Sequence, residues 1–283
     1  MKKMREISVK EVTREIARLC EEACTKLTPD VVKAFEDGLK NEKSPVGRDI
    51  FKVMCENAAY AAESGIPACQ DTGMAVVFID IGQDVHFIDG DFYEAVNEGV
   101  RRGYVDGKLR LSVVGDPIRR VNTNDNTPAI LHTRIVPGDK VSITVAPKGF
   151  GSENMSAMKM FKPSATTDDI IDFIVETVSK AGSNPCPPVV VGVGLGGTVD
   201  MAACCAKRAL LREIGSAHED ELYADLEAEA LKRVNKLGIG PQGMGGSITA
   251  LAVFFEKYAT HIAGLPCVVN IGCHITRHAS AVI

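Results

Sequence analysis

The stretch Val189-Val190-Val191-Gly192-Val193-Gly194-Leu195-Gly196-Gly197 begins as a run of β-branched residues and ends in closely spaced glycines. Val189-Val190-Val191 predicts a short strand, and the segment from Met201 to Arg212 has the apolar spacing of a helix. Strands that alternate with helices are typical of α/β proteins. This part of the chain is therefore predicted to form a sheet covered by helices.

The glycines of this stretch also match G-x-G-x-x-G, the pattern of a dinucleotide-binding turn. Such a site needs a second strand after the helix, with an acidic residue about 20 positions further on. Here Glu213 leads instead into a polar segment and another predicted helix, Glu219 to Leu237. A dinucleotide site remains an alternative, but the glycines are better explained by close backbone approach in a tight loop.

The first third of the chain is predicted to be helical. Ser8 and Glu11 have the spacing of a capping box ahead of an apolar stripe at helical spacing. Thr28-Pro29-Asp30 suits the start of a second helix, and a third is expected from about Ser44 to Gly65.

The middle of the chain contains predicted strands, and helices alternate with strands after it. The strands are expected at Ala75 to Ile81, Leu131 to Ile135, Lys140 to Ala146 and Val268 to Asn270, with a helix at Asp168 to Gly182. The predicted class is α/β (mixed α+β): a helical N-terminal part, then mixed sheets flanked by helices. Because no repeat or long linker interrupts the sequence, residues 1–283 are predicted to form a single domain.

Composition excludes several classes of function. The 283 residues have a formal net charge of -5 with no basic stripe, so nucleic acid is a poor candidate partner. No apolar run reaches about 18 residues, and Met1 to Arg5 precede no apolar signal core. We therefore expect no membrane segment and a cytoplasmic location.

The chain has nine cysteines but no C-x-x-C spacing, which argues against a zinc ribbon or thioredoxin motif. With no signal peptide, a disulfide framework is also not expected. Buried free cysteine behaves as a small hydrophobic residue. This is the interpretation favoured for six of them: Cys20, Cys24, Cys55, Cys204, Cys205 and Cys267.

The other three cysteines lie beside polar residues or prolines: Cys69 before Gln70 and Asp71, Cys186 between prolines, and Cys273 before His274. A 4Fe-4S cluster is held by thiolates. Three such ligands would leave one iron open to a substrate oxygen, which would make the cluster a catalyst rather than an electron carrier.

Further candidates have two interpretations each. The glycine-rich loops Lys148 to Asn154 and Gly238 to Gly246 are as consistent with ordinary turns as with anion binding. His261 is predicted to lie on the approach from a helix to a strand, where it could transfer protons or be a satisfied core histidine, the latter slightly favoured. Arg110 could clamp a carboxylate, although an exposed salt bridge is commoner.

An ordered set of motifs resembles one family. The motifs are Cys69-Gln70-Asp71-Thr72-Gly73, Leu109-Arg110-x-Ser112, Asn122-Thr123-x-x-Asn126-x-Pro128-Ala129, Gly149-x-Gly151-Ser152-x-Asn154, Cys186-Pro187-Pro188, Gly196-Gly197-Thr198 and Asn270-x-x-Cys273-His274 followed by Arg277-His278. Together they resemble the alpha subunit, or N-terminal part, of the class I iron-sulfur hydro-lyases, fumarate hydratase and L-tartrate dehydratase. Asn124 stands where the family more often has glycine, a position that asparagine tolerates because it adopts left-handed backbone more readily than most residues.

The resemblance implies a role for each candidate residue. It implies that Cys69, Cys186 and Cys273 ligate a 4Fe-4S cluster with one open iron. It further implies that a small dicarboxylate faces four residues, that Asp71 is catalytic, and that His261 assists proton transfer. Those four are Gln70, Asp71, Arg110 and Gly151.

The resemblance also implies a partner, because in the family the base and further carboxylate clamps lie in a beta subunit or C-terminal domain. The expected assembly is a heterotetramer of two alpha and two beta subunits. The expected reaction is reversible hydration of fumarate to (S)-malate. The alternatives are L(+)-tartrate dehydration or, in another class, a non-catalytic iron-sulfur or dinucleotide-binding protein.

Overall fold

A computed structural model describes residues 4–283. The chain divides into two compact units. Unit 1 contains the chain up to Leu27, Tyr60–Gly149 and Arg277–Ile283, and unit 2 contains Thr28–Ala59 and Phe150–Thr276.

The helices are α1 (Val9–Thr25), α2 (Pro29–Asn41), α3 (Pro45–Ser64), α4 (Phe92–Val105), α5 (Phe150–Glu153), α6 (Thr167–Ala181), α7 (Val199–Ala209) and α8 (Glu221–Asn235). The strands are β1 (Arg5–Ser8), β2 (Met74–Gly82), β3 (Val85–Ile88), β4 (Ile130–Val136), β5 (Val141–Lys148), β6 (Ala157–Phe161), β7 (Val189–Gly196), β8 (Ala250–Tyr258), β9 (Leu265–Gly272) and β10 (Ala279–Val282). The elements confirm the predicted mixed α/β class.

Unit 1 is built on a sheet of order β10-β5-β2-β4, in which β2 runs antiparallel to β5 and parallel to β4. Helices α1 and α4 pack closely together because α4 presents glycines to α1. A Cβ on Gly103 would lie 2.6 Å from Cβ of Cys20, and one on Gly99 would lie 2.7 Å from Cβ of Ile16. Ser8 caps α1 by accepting the N–H of Lys10, rather than through Glu11 as the predicted capping box requires.

Unit 2 is built on a sheet of order β6-β9-β7-β8, with β7 parallel to β8 and antiparallel to β9. Strand β7 is buried along its whole length. Its valines at 189, 191 and 193 share a core with α6 and α8, and its opposite face carries α7.

The glycines of β7 explain why the dinucleotide pattern is present. A Cβ on Gly194 would lie 1.8 Å from the Ala202 carbonyl oxygen, and one on Gly192 would lie 2.1 Å from that of Ala206. Both positions therefore admit only glycine beneath α7. The predicted close backbone approach is confirmed, although it occurs within a strand and not in a tight loop.

The sequence patterns missed α4 and β8, and also the short elements β1, β3, α5, β6 and β10. Strand β8 precedes the loop that carries His261, so the predicted position of that residue after a helix is wrong. Buried strands such as β8 lack polar alternation, and a short apolar run does not distinguish strand from helix by periodicity.

In the part of the chain from residue 4 to 283, no helix combines the length and apolar character needed to cross a membrane.

Candidate functional site

In unit 1, the loop Cys69–Gly73 is held by side chains from distant segments. The Thr72 hydroxyl accepts the N–H of Arg110 at 2.9 Å and donates to the Arg110 carbonyl at 3.3 Å. The hydroxyl of the fully buried Tyr104 donates to the Thr72 carbonyl at 2.8 Å. Nδ2 of Asn126 donates to the Gly73 carbonyl at 3.0 Å. Unit 1 thus brings the loop of Cys69 together with Arg110.

Asp71 is fixed in the same loop, half-buried. Its Oδ1 accepts the N–H of Gly73 at 3.1 Å, and its carbonyl accepts a hydrogen bond from the buried guanidinium of Arg277. Gly73 has φ +70°, and a Cβ there would lie 2.4 Å from the Lys148 carbonyl carbon. The turn after Asp71 therefore requires glycine.

Gln70 and Arg110 are exposed on this scaffold. Within residues 4–283, the Arg110 guanidinium forms no ion pair, whereas Arg134 on the same unit binds Asp80 through two hydrogen bonds of 3.1 and 2.6 Å. The structure thus does not support the exposed-salt-bridge alternative for Arg110. A planar guanidinium on a held backbone is suited to binding a carboxylate.

In unit 2, Cys186 lies on an exposed turn with φ +52°. Its carbonyl oxygen lies 3.3 Å from the His274 backbone nitrogen and 2.9 Å from His274 Nδ1. His274 follows Cys273, which is half-buried. The loops of two predicted cluster ligands therefore meet through His274.

Gly151, on α5, lies beside the same turn: a Cβ there would be 3.4 Å from the carbonyl oxygen of Asn184. Two residues later, Glu153 accepts a 2.8 Å hydrogen bond from Nδ2 of Asn270 on β9 and pairs with Lys207 on α7. This network ties the Gly151 segment to the strand that leads to Cys273. Unit 2 thus brings together Gly151, Cys186 and Cys273.

Two residues of unit 2 were given no individual role from the sequence, although the first lies in the glycine-rich loop Gly238 to Gly246. Gln242 lies in a 3₁₀ turn, Pro241–Gly243, and contacts both Pro187 and His274. Glu42, at the end of α2, is buried, and its carboxylate accepts the N–H groups of Ser44, Ser247 and Ile248. Glu42 thereby fixes the end of the glycine-rich loop Gly238 to Gly246, which the sequence singled out.

Because of Glu42, we expect the stability of the folded protein to fall as the pH becomes acidic. Burial would raise its pKa, but the hydrogen bonds from Ser44, Ser247 and Ile248 outweigh burial and lower the pKa below the ordinary 4.5. A folded-state pKa below the unfolded one adds stability that is present above the unfolded pKa and is lost as pH falls through the folded pKa.

We expect Glu42→Gln to lower the free energy of unfolding by about 2–4 kcal/mol at pH 7, because an amide cannot accept all these bonds. It should also reduce the loss of stability between about pH 5 and pH 3. Urea unfolding across that pH range checks both effects. Glu36→Gln, on the exposed face of α2, is the control. If wild type and Glu42→Gln are equally stable at pH 7, the Glu42 carboxylate does not stabilise the fold through these hydrogen bonds.

His261 is not a core histidine, so the slightly favoured interpretation from the sequence is wrong. It is exposed in the loop between β8 and β9, where its Nδ1 accepts the N–H of Ala263 at 3.1 Å. His261 precedes the eight-residue strand β9 and Cys273 follows it. At about 3.3 Å per residue, the ends of β9 are roughly 23 Å apart. Within unit 2, His261 is therefore remote from Cys273, and its role in proton transfer stays a prediction.

The remaining cysteines behave largely as predicted. Cys20, Cys24, Cys205 and Cys267 are buried, and Cys55 and Cys204 are half-buried. Burial raises the pKa of Cys24 to about 11 and that of Cys267 to about 12, so both remain thiols at neutral pH. A thiolate ligand for iron is thus disfavoured at these positions.

Among residues 4–283, no group of three or more His, Cys, Asp and Glu side chains is placed to hold a metal ion. The chemistry of the donors nevertheless fits an iron-sulfur cluster. Cys69, Cys186 and Cys273 lie outside the buried core, on loops held by hydrogen bonds, and in unit 2 two of these loops touch. Thiolates are the soft ligands that iron-sulfur clusters take, and the cluster must be able to reach them.

Asn124 has φ +62°, which confirms the left-handed backbone inferred at that position.

Residues 13–282 match the family described as fumarate hydratase (fumerase). A protein named putative L(+)-tartrate dehydratase subunit alpha, from Methanocaldococcus jannaschii, is 42% identical over 93% of this chain and 94% of its own length. The L(+)-tartrate dehydratase subunit alpha of Escherichia coli K12 is 31% identical over 98% of this chain and 92% of its own. The chain therefore belongs to the fumarate hydratase (fumerase) family of hydro-lyases.

Proposed function

We propose that this chain, as one alpha-subunit domain spanning residues 1–283, is part of an iron-sulfur hydro-lyase that acts on a small dicarboxylate. The observation that carries the proposal is the contact between the Cys186 and Cys273 loops through His274, with Gly151 beside the Cys186 turn. A dinucleotide-binding protein is not favoured, because Gly192 and Gly194 of the pattern are occupied by packing against α7.

Cys69, Cys186 and Cys273 would hold a 4Fe-4S cluster. When bound, the cluster would supply a Lewis acid that draws electron density from the C2–oxygen bond of the substrate. The chain's own residues would bind and orient the substrate. Arg110 is suited to one carboxylate through paired hydrogen bonds.

Four further residues complete the proposal. Gln70 is exposed beside Cys69 and can donate from its amide to a substrate oxygen. The Gly151 segment offers close backbone approach for a substrate oxygen. Asp71, whose backbone and side chain are both held, would contribute to proton handling at the substrate. His261 is assigned to proton transfer by the family resemblance alone.

The substrate proposed first is fumarate, hydrated to (S)-malate. L(+)-Tartrate is the second candidate, favoured by the names of the relatives. (S)-Malate and L(+)-tartrate differ in a hydroxyl at C3, which a site rejects or accepts through a few polar contacts. Anaerobic assays of the assembled enzyme on (S)-malate, fumarate and both tartrate enantiomers decide between them. Turnover of none of these compounds by iron-loaded enzyme would contradict the proposal.

We also propose a beta-subunit partner, supported by the relatives' names as alpha subunits and by one exposed surface. In unit 1, the turn that follows Arg110 presents Ile118, 87% exposed, and Val121, 70% exposed. The turn is ordered: Gly115 N–H donates to the Val121 carbonyl at 2.9 Å. Aliphatic side chains displayed on a fixed turn suit coverage by another chain.

Accordingly, the purified chain alone should show no measurable hydration of fumarate, and addition of the beta subunit should restore turnover. The double variant Ile118→Ser/Val121→Ser should weaken assembly at least about tenfold, since full burial of an aliphatic side chain contributes roughly 1.5–3 kcal/mol. Sedimentation velocity measures the affinity. Ile262→Ser, at a position 90% exposed in unit 2, is the control. Native rates from the isolated chain would refute the split site.

A further inference from the structure

We propose that Gln242 is a positioning residue that fixes the Cys186 and Cys273 loops relative to each other. The inference rests on the proposed function for its purpose, but its evidence is a set of contacts within unit 2. Gln242 lies more than 30 residues before Cys273 and more than 50 after Cys186. It therefore belongs neither to the motif that contains Cys186 nor to the motif that contains Cys273.

Gln242 binds the Cys186 loop twice. Its backbone N–H donates to the Pro187 carbonyl at 2.7 Å, and its side-chain Nε2 donates to the same oxygen at 3.0 Å. Pro187 follows Cys186 directly. Two donors on one carbonyl oxygen restrict both the position and the orientation of that peptide group.

The same amide group reaches the second loop. Nε2 of Gln242 lies 3.3 Å from Nδ1 of His274, the residue after Cys273. The same Nδ1 lies 2.9 Å from the Cys186 carbonyl oxygen. Nδ1 cannot donate to the carbonyl and accept from the amide at once, and the shorter contact, to the Cys186 carbonyl, makes Nδ1 the donor. The side chain of Gln242 therefore hydrogen-bonds the Cys186 segment and packs against the residue that follows Cys273.

The backbone around Gln242 is built to hold this position. Gln242 itself has φ +52°, which is uncommon for a residue with a Cβ. Its neighbour Gly243 has φ +76°, and a Cβ there would lie 2.3 Å from Cβ of Ser183. Ser183 in turn accepts the N–H of Cys186 at 3.0 Å through its carbonyl. A left-handed glutamine held against the Cys186 turn is the kind of local strain found at functional sites.

The support extends to Glu42. Its carboxylate binds the N–H of Ser247, and a Cβ on Gly246 would lie 2.9 Å from the carboxylate carbon. The loop that carries Gln242 is thus anchored at its far end as well, and a change confined to the amide should leave the loop in place. This makes Gln242 testable apart from folding.

The test uses two variants. Gln242→Leu removes the side-chain amide donors at similar side-chain size, and Gln242→Glu places a carboxylate against the Pro187 carbonyl. The matched controls are Gln83→Leu and Gln83→Glu, at an exposed turn of unit 1. Thermal unfolding of all four variants verifies folding. If one Gln242 variant fails to fold, the other carries the test.

The first readout is the alkylation rate of each cysteine by iodoacetamide in reduced, metal-free protein, followed by peptide mass spectrometry. We expect Cys186 and Cys273 to react at least about threefold faster in the Gln242 variants, with Cys69 in unit 1 unchanged. The second readout is iron release to a chelator from the reconstituted alpha–beta complex, together with the cluster's electron paramagnetic resonance spectrum. Release should be several-fold faster and the spectrum altered.

Wild-type alkylation at both cysteines, with wild-type iron release and spectrum, would overturn the positioning role. Equal acceleration at Cys69 would overturn it as well, since that pattern indicates general loosening. The proposed function fails separately, if wild-type complex retains iron but converts no dicarboxylate, and the alkylation result for Gln242 stands in that case.

Discussion

Serine in place of Cys69, Cys186 or Cys273 is expected to remove the iron-sulfur cluster and hydro-lyase activity together. A serine hydroxyl is a much poorer ligand for iron than a thiolate. Loss of activity on the order of 10³-fold or more, about 4 kcal/mol of transition-state stabilisation, is expected. Iron content, visible absorbance and turnover of the anaerobically reconstituted complex provide the measurement.

The structure supplies the controls for this experiment. Cys267→Ala removes a fully buried thiol of β9, and Cys204→Ala removes a half-buried thiol of α7. Both should retain full iron content and lose only about 1 kcal/mol of stability. Full iron content in all three serine variants would refute the ligand assignment, and loss of iron in Cys267→Ala would show that the assay follows stability and not ligation.

Arg110→Lys should leave cluster content unchanged and reduce kcat/KM by about 10- to 100-fold, corresponding to roughly 1.4–2.8 kcal/mol. Lysine keeps the charge but loses the planar pair of donors. The backbone at this position is already fixed by Thr72, so the substitution changes only the side chain. Steady-state kinetics normalised to cluster content measures the effect.

The division between KM and kcat indicates what Arg110 does. An increase in KM alone means that it binds ground state and transition state equally, whereas a fall in kcat means that it also orients the reacting groups. Arg134→Lys is the matched control, because Arg134 forms an exposed ion pair with Asp80. Such pairs contribute roughly 0–1 kcal/mol to stability and nothing to chemistry. Wild-type kcat/KM in Arg110→Lys would remove this residue from the site.

Local patterns predicted much of the secondary structure but not all of it. The helices from Thr167 to Ala181 and from Val199 to Ala209 are close to the predicted ranges, because their apolar stripes repeat at helical spacing. Strand β8 was missed and His261 was misplaced as a result. The apolar run at residues 250–255 of β8 has no polar alternation, and its identity as a strand is decided by pairing with β7.

The sequence by itself determined the mixed α/β class, the family resemblance and the candidate cysteines, because these depend on residue type and on short spacings. Only the tertiary structure decided which candidates lie together: Thr72 with Arg110 in unit 1, and the Cys186 turn with His274 in unit 2. It also revealed Gln242 and Glu42. Glu42 and Ser247 are 205 positions apart, and a hydrogen bond between them depends on the packing of two separate segments. A hydrogen bond that joins one polar residue in each of two distant segments leaves no periodic signal in the sequence. Such a contact becomes visible only when both segments are folded.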